Sequence, residues 1–272
     1  SRRAQLSGQR NSLRLVRTSF PLIIFISSIE CVSVTCIDQV RSEKICFYIV
    51  NHLEWIREKW ARGEVCIGTN VTLSDSTVIE LMGEVGFDIV WIDMEHSSMT
   101  LEHAMNHVRT CRGGGLAPFI RVPSNDPVVV KPFLEMHPAG IIMPRISNLA
   151  DAEQAVRSCR YPPRGVRGFG PIRGVRFSAR DTEDYIDKVD SEIMVILQIE
   201  HIDAVNQIDE ILQIPGVDSI VPGPMDLSGT MGLLGQMDHP DVVAALQRML
   251  DAALARGVPM GQSIAPLSLI HI

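Results

Sequence analysis

From residue 51 onward the chain repeats one pattern: a short apolar, β-branched run, a polar turn, then an amphipathic stretch of helical period. The runs predict strands over Val65–Val71, Phe87–Asp93, Ala117–Val122, Gly140–Arg145, Ile193–Ile199, Val217–Val221 and Pro259–Ser263. The amphipathic stretches predict helices over His52–Ala61, Ser74–Glu84, Leu101–Arg112, Pro127–Glu135, Ala150–Arg160, Ala204–Leu212 and Pro240–Arg256, with Pro127 and Pro240 suited to a first helical turn. Strands that read as continuous apolar runs and alternate with helices imply the α/β class, a parallel sheet covered by helices. Within that class the expectation is a (β/α)8 TIM barrel, which needs about 250 residues. Seven strands leave it one βα unit short, truncated before strand 8. A doubly wound open sheet is the alternative, but no G-x-G-x-x-G follows the first strand.

The two ends do not share this pattern. An Arg-rich start, SRRAQLSGQRNSLRLVR, precedes FPLIIFISSI, which has the outward form of a signal peptide. The run is too short to span a bilayer, and no small-x-small cleavage site follows it. Residues 1–50 are therefore read as a non-native or disordered N-terminal extension, with a natural start at Val50, from an alternative start codon, ahead of NHLEWIREKWARGE. The tail LSLIHI, Leu267–Ile272, is what the transposon-derived sequencing adapter CTGTCTCTTATACACATC encodes, so residues 267–272 are read as adapter-derived. The barrel domain is expected over residues 51–266 and C-terminally incomplete.

Charge sharpens the contrast. The formal net charge is −7. Residues 1–50 hold seven Lys+Arg against three Asp+Glu, a net of +4, whereas residues 51–272 hold 18 against 29, a net of −11. An acidic body argues against a nucleic-acid partner. The Arg- and Gly-rich stretch YPPRGVRGFGPIRGVRFSAR, Tyr161–Arg180, has only two Phe among its arginines and is read as a long loop near the mouth of the barrel, a lid or a subunit contact. The six cysteines show neither C-x-x-C spacing nor a disulfide framework, which fits a reducing, cytoplasmic setting without a membrane partner.

The chemistry gathers at the carboxyl ends of the predicted strands, the face on which parallel α/β barrels build active sites. FDIVWI runs into Asp93, Glu95 and His96; the third strand ends at Arg121; the fifth carries Gln198 and runs into Glu200; the sixth leads through PGP to Asp226. Two carboxylates and an imidazole at the end of a buried run are costly unless paired or in use. Taken singly, His96 would be a structural hydrogen-bonder, Glu200 or Asp226 a helix cap or rim ion pair, and Arg121 a salt-bridge partner. Together they suggest a metal-assisted reaction of an α-keto acid. Glu200 and Asp226, from adjacent strands, would hold an oxygen-loving Mg2+ or Mn2+. His96 would remove a proton, directly or through water, and Arg121 would stabilise an enolate oxygen or clamp a carboxylate.

The motifs WIDMEH, FIRVPSNDP, GIIMPR, YPPRGVRG, LQIE and VPGPMDLSGTMG, in this order over about residues 51–264, resemble those of the HpcH/HpaI family of metal-dependent pyruvate aldolases. That family includes 4-hydroxy-2-oxoheptanedioate aldolase and 2-dehydro-3-deoxyglucarate aldolase. The resemblance implies a barrel of the phosphoenolpyruvate/pyruvate type and class II aldol chemistry. In it, pyruvate chelates Mg2+, Mn2+ or Co2+, becomes an enolate and adds reversibly to an aldehyde. It implies His96 as the base acting through water, Arg121 as the transition-state stabiliser, Glu200 and Asp226 as metal ligands, and Gln198 with the backbone of Met225 and Asp226 as pyruvate contacts. Asp93 and Glu95 would support the mouth. Glu135 stands where some members carry an Asp that raises the basicity of the histidine; His201 replaces a familiar Thr and Met225 a smaller Ala. The resemblance also implies a homo-oligomer, a hexamer in the family, acting on a small 2-oxo acid and an aldehyde in the catabolism of aromatic compounds or sugar acids. The alternatives are a related metal-enolate barrel, such as a citryl- or malyl-thioester lyase or a decarboxylating synthase, and a catalytically inactive truncated homologue.

Overall fold

The computed structural model describes residues 22–26 and 51–264, with side chains described over 51–262. The expectations for the rest of 1–50, including a start at Val50, and for the tail Leu267–Ile272 lie outside the described residues. Among the described residues eight strands appear in chain order: β1 (Leu22–Ile26), β2 (Cys66–Val71), β3 (Ile89–Asp93), β4 (Ala117–Arg121), β5 (Gly140–Ile146), β6 (Met194–Ile199), β7 (Ser219–Pro222) and β8 (Met260–Ile264). Strands β2 to β8 pair consecutively and in parallel, forming one curled sheet. The seven predicted strands all appear, shifted by at most two residues at either end.

One expectation is corrected. The place opposite β8 is filled by β1, which lies inside the segment read as an extension. Its sequence LIIFI has the apolar, β-branched character of the predicted strands, and it pairs in parallel with β2 on one side and β8 on the other. The strand order therefore runs as a closed ring from β1 to β8 rather than one strand short.

The helices are α1 (Leu53–Ala61), α2 (Thr77–Glu84), α3 (Leu101–Gly114), α4 (Pro127–Glu135), α5 (Leu149–Cys159), α6 (Thr182–Glu192), α7 (Ile202–Asn206), α8 (Ile208–Ile211), α9 (Pro224–Thr230) and α10 (Pro240–Arg256). The single helix expected over Ala204–Leu212 is two, broken at Gln207, and α6 and α9 were not predicted. Their cues are Asp181, whose side chain caps α6 by accepting from the Glu183 and Asp184 amides, and Pro224 in the first turn of α9.

Alternation along the strands sorts the core into two layers. Ile89, Trp91, Phe119, Ile142, Ile196 and Val221 pack inside the ring, where Leu53 and Ile56 of α1 close its amino-terminal end. Val90, Ile92, Ile120, Ile141, Val195 and Leu197 pack outward against the helices. Each fully buried aliphatic or aromatic side chain contributes roughly 1.5–3 kcal/mol. The amino-terminal end is tied by buried acids: Asp88 accepts from the Ile67 amide at 2.9 Å and Asp218 from the Val195 amide at 2.8 Å. Cys66, Cys111 and Cys159 are buried and free.

Tyr161–Arg180 has neither helix nor strand, as expected of a long loop, but its anchors lie at the amino-terminal end of the strands, not at the mouth. Arg160, immediately before the loop, bonds the Ile193 carbonyl just before β6, and within it Arg167 pairs with Glu135 and Arg173 bonds the Met136 carbonyl. No helix among the described residues is long and apolar enough to cross a membrane.

Candidate active site

Parallel pairing sets Asp93, the last residue of β3, beside Arg121, the last residue of β4. Their side chains meet in a two-pronged ion pair: Arg121 Nε donates to Asp93 Oδ1 at 3.0 Å and Nη2 to Oδ2 at 2.5 Å. Asp93 also accepts from Asn70 Nδ2 at 3.2 Å and from the Glu95 and His96 amides at 3.1 Å each. Burial alone would raise the Asp93 carboxyl, but the Arg121 guanidinium and these donors hold it below the usual carboxylate range. Asp93 thus orients the arginine and fixes the turn that carries Glu95 and His96. The Arg121 guanidinium lies 5.2 Å over the Trp91 ring, and its Nη1 donates to Gln198 Oε1 at 3.3 Å.

Glu200 follows β6 directly and is 6 % exposed. Its Oε2 accepts from Gln198 Nε2 at 2.7 Å and its Oε1 from the Arg145 amide at 2.5 Å. Burial pushes its carboxyl up to about 7 against the pull of the Arg145 amide, and the negative charges of Asp226 and Glu95 push it further in the same direction. Glu95 is likewise raised, by burial first and by Asp93 and Asp226, with Arg121 opposing. The buried Oε2 of Glu95 has no hydrogen bond; it lies 3.3 Å from Arg121 Nε and 3.7 Å from Nε2 of the exposed His96. Asp226 sits in the first turn of α9, next to the exposed Met225.

Of the residues expected at the site, Arg121, Gln198 and Glu200 are joined by hydrogen bonds, His96 is adjacent through Glu95, and Asp226 is felt electrostatically by Glu200 and Glu95. Glu135, expected to tune His96, does not join them. It ends α4, five residues before β5 begins, so it lies at the opposite end of the strands from His96 and pairs with Arg167 at 3.1 Å. Four contributors escaped sequence reasoning: Asn70, the Trp91 face, the Arg145 amide and Gly223. Only Gly223 left a readable cue, a glycine between two prolines just before Asp226.

The family model described as HpcH/HpaI aldolase/citrate lyase matches residues 67–265. The chain belongs to the HpcH/HpaI aldolase/citrate lyase family. It is 35 % identical over 201 residues to a 5-keto-4-deoxy-D-glucarate aldolase of Escherichia coli O139:H28, covering 74 % of this chain and 78 % of that protein. Among solved structures it is similar to an HpcH/HpaI aldolase/citrate lyase family protein from Burkholderia cenocepacia J2315, with a TM-score of 0.68, 31 % identity and coverage of 75 % of this chain and 81 % of that one. It is also similar to the citrate synthase SbnG, with a TM-score of 0.68, 28 % identity and coverage of 76 % and 80 %.

Among the described residues no three His, Cys, Asp or Glu side chains converge as a full metal cage would. The donor chemistry nonetheless fits a hard divalent cation in this family member. Burial and the charge of Asp226 raise both the Glu200 and the Glu95 carboxyl, one buried oxygen lacks a donor, and Mg2+-type ions commonly take only one or two protein carboxylates beside water and substrate oxygens. Glu200 and Asp226 are the residues that would hold it.

Proposed function

We propose that this family member is a carbon–carbon lyase, a class II aldolase dependent on a divalent metal, that reversibly cleaves 4-hydroxy-2-oxo acids to pyruvate and an aldehyde. The observation that carries the reading is the crowding of Glu200, Asp226 and Glu95 beside the preorganised Arg121 at the carboxyl ends of the strands. The reading takes the barrel as one of the phosphoenolpyruvate/pyruvate type. The similarity to a 5-keto-4-deoxy-D-glucarate aldolase supports it.

A bound Mg2+, Mn2+ or Co2+ would supply Lewis acidity to the 2-oxo acid, making the hydrogens on its neighbouring carbon more acidic. Arg121, locked by Asp93, presents a fixed cationic donor to the oxygen on which charge develops, without reorganising during the reaction. Gln198, bonded to both Arg121 and Glu200, positions the 2-oxo acid, with the backbone of Met225 and Asp226 on its other side. His96 faces solvent beside Glu95, where it takes up the proton through water and returns it in the reverse direction.

The test is deuterium exchange into the pyruvate methyl group in D2O, followed by proton NMR with Mg2+, Mn2+ or Co2+ and with an EDTA blank. Metal-dependent exchange that is lost in His96→Ala is expected; its absence from a folded sample overturns the reading. The similarity to a citrate synthase favours one second reading, a carbon–carbon-forming synthase rather than an aldehyde-releasing lyase. Release of an aldehyde from a 4-hydroxy-2-oxo acid separates the two.

A further inference from the structure

We infer that His107 of α3 is a positioning residue: it clamps the turn between β2 and α2 onto α3 and so keeps Asn70 against Asp93, the carboxylate that aims Arg121. Its effect on turnover rests on the aldolase reading and goes beyond it, since that reading gives His107 no part.

His107 lies in the second turn of α3 and has no exposed surface. Both ring nitrogens reach the segment that follows β2: Nε2 lies 2.8 Å from the Leu73 carbonyl oxygen, and Nδ1 lies 2.9 Å from Ser76 Oγ. A carbonyl only accepts, so Nε2 carries the proton and donates, and in the neutral ring Nδ1 accepts from the Ser76 hydroxyl. Burial holds the imidazole below the usual histidine range, with His103 acting the same way and the Leu73 carbonyl and Asp75 opposing, which favours this neutral form. Ser76 shows what the clamp displaces. It stands at the N-cap of α2, yet its side chain caps nothing; Asp75 Oδ1 accepts from the Thr77 amide instead, at 2.9 Å. A serine at this position ordinarily bonds the first turn of its own helix, and here its hydroxyl is given over to α3.

The turn so fixed belongs to the mouth. Val71, the last residue of β2, stands opposite Ile92, so the chain leaves β2 level with Asp93 and beside the turn that carries Glu95 and His96. Asn70, one residue earlier, donates to Asp93 Oδ2 at 3.2 Å, the same oxygen that accepts from Arg121 Nη2. The end of β2 is thus held from both sides, by its pairing with β3 up to Val71 and by His107 beyond it. The turn after β3 leads straight into α3, whose start is fixed reciprocally: the Thr100 side chain accepts from the His103 amide, and the His103 ring accepts from the Thr100 amide. A ring on α3 that grips the neighbouring turn therefore locks two adjacent loops of the mouth to each other. Its loss acts on kcat rather than on KM, because Arg121 meets charge that develops only during the reaction.

The experiment compares the unaltered chain with His107→Leu and His107→Gln. Pyruvate methyl exchange in D2O with Mg2+ is measured over a range of pyruvate concentrations, and backbone amide exchange is followed by mass spectrometry on the same samples, with circular dichroism to establish folding. Leucine fills the space without a polar atom, whereas glutamine supplies one donor and one acceptor and does not titrate. In His107→Leu, kcat should fall about tenfold with little change in KM, the scale of removing a partner that orients a site residue. The amides of Glu95 and His96, which donate to Asp93, should lose protection in the same variant. His107→Gln should regain most of both. Ser76→Ala removes one of the two bonds at a half-buried position and should give a smaller change of the same kind, so it decides the matter if His107→Leu does not fold. An unchanged kcat in folded His107→Leu, or equal losses in the leucine and glutamine variants, overturns the inference. No methyl exchange from the folded, unaltered chain removes the aldolase reading instead. Amide protection then judges the clamp by itself, and unchanged protection of Glu95 and His96 in His107→Leu overturns it.

Discussion

Gly223 lies flat against Glu200: a Cβ at position 223 would sit 2.4 Å from Glu200 Oε2 and 2.7 Å from Glu200 Cβ. The Gly223 amide also bonds the Ile199 carbonyl at 3.0 Å, so the backbone at 223 cannot retreat without breaking the link between β6 and the turn after β7. The absent side chain is what lets the Glu200 carboxylate occupy its place. Gly223→Ala should therefore displace Glu200 and lower pyruvate exchange by about two orders of magnitude, the scale of a misplaced catalytic group. Its melting temperature should fall by only a few degrees, as for overpacking of about 1–3 kcal/mol in a chain of this size. Near-normal exchange would show that Glu200 is not needed where it stands.

The Arg121–Asp93 pair gives a second test. Arg121→Lys retains one positive charge but loses the fork that meets both Asp93 oxygens. We expect kcat to fall by about 10²–10³, the usual effect of losing one preorganised donor to a developing negative charge. Arg121→Ala should in addition destabilise by about 3–5 kcal/mol, because Asp93, 2 % exposed, would be left as an uncompensated buried charge. Thermal denaturation of the two variants side by side separates the catalytic from the structural part.

How far the sequence carried this site depends on which physical signal each residue left. Asp93, Arg121, Gln198, Glu200 and Asp226 were legible because each interrupts or directly follows an apolar run, where a polar side chain needs a reason. Asn70 and Trp91 left no such mark, since an amide near the end of a strand and an aromatic within one are ordinary. Glu135 was misplaced because helices run antiparallel to the strands they follow, so the end of α4 belongs to the opposite face from the end of β3. The same geometry explains the loop over Tyr161–Arg180, whose arginines Arg167 and Arg173, with Arg160 just before it, bond groups at the amino-terminal ends. Leu22–Ile26 was read by its Arg-rich neighbours rather than by its own β-branched pattern. Its pairing with β2 and β8 depends on long-range contacts that no local window contains.

The raised Glu200 carboxyl predicts a particular pH dependence. Its ordinary value is 4.5 and its value in the fold is about 7, so the folded state binds this proton more tightly than the unfolded state does. The stabilisation it gives is complete below the unfolded value and is lost as the pH rises through about 7. Glu95, also raised, acts in the same direction. Glu192 acts oppositely: burial would raise it, but His137 and Arg180 hold it at about 2, so its contribution exists above 4.5 and is lost only as the pH falls toward 2. With chelator present, the melting temperature should therefore decline between about pH 5 and pH 8, and Glu200→Gln should flatten that decline while leaving the acid limb in place. Calorimetry of both proteins across this range checks it, and parallel curves would remove Glu200 as the source. On the proposed metal site, added Mg2+ should reverse the decline at pH 8, because a cation held by the ionised carboxylates of the folded state would stabilise that state.

The Arg- and Gly-rich stretch offers a test independent of catalysis. A Cβ at Gly174 would lie 2.4 Å from Tyr185 Cε2, and Tyr185 is wholly buried, its hydroxyl held by Arg167 at 3.2 Å. At Gly170, four residues earlier in the same loop, a Cβ would meet nothing within 4 Å. If these glycines served only flexibility or a polyanion, the two positions would tolerate alanine alike. Packing predicts a sharp difference instead. Gly174→Ala should destabilise by about 1–3 kcal/mol as Tyr185 is forced from its place, lowering the melting temperature by several degrees. Gly170→Ala should be neutral or slightly stabilising, since it only restricts the unfolded chain. Thermal melts of the pair decide it: equal behaviour would mean that the loop does not hold Tyr185 as described, whereas the expected asymmetry ties this stretch to the scaffold beneath the site.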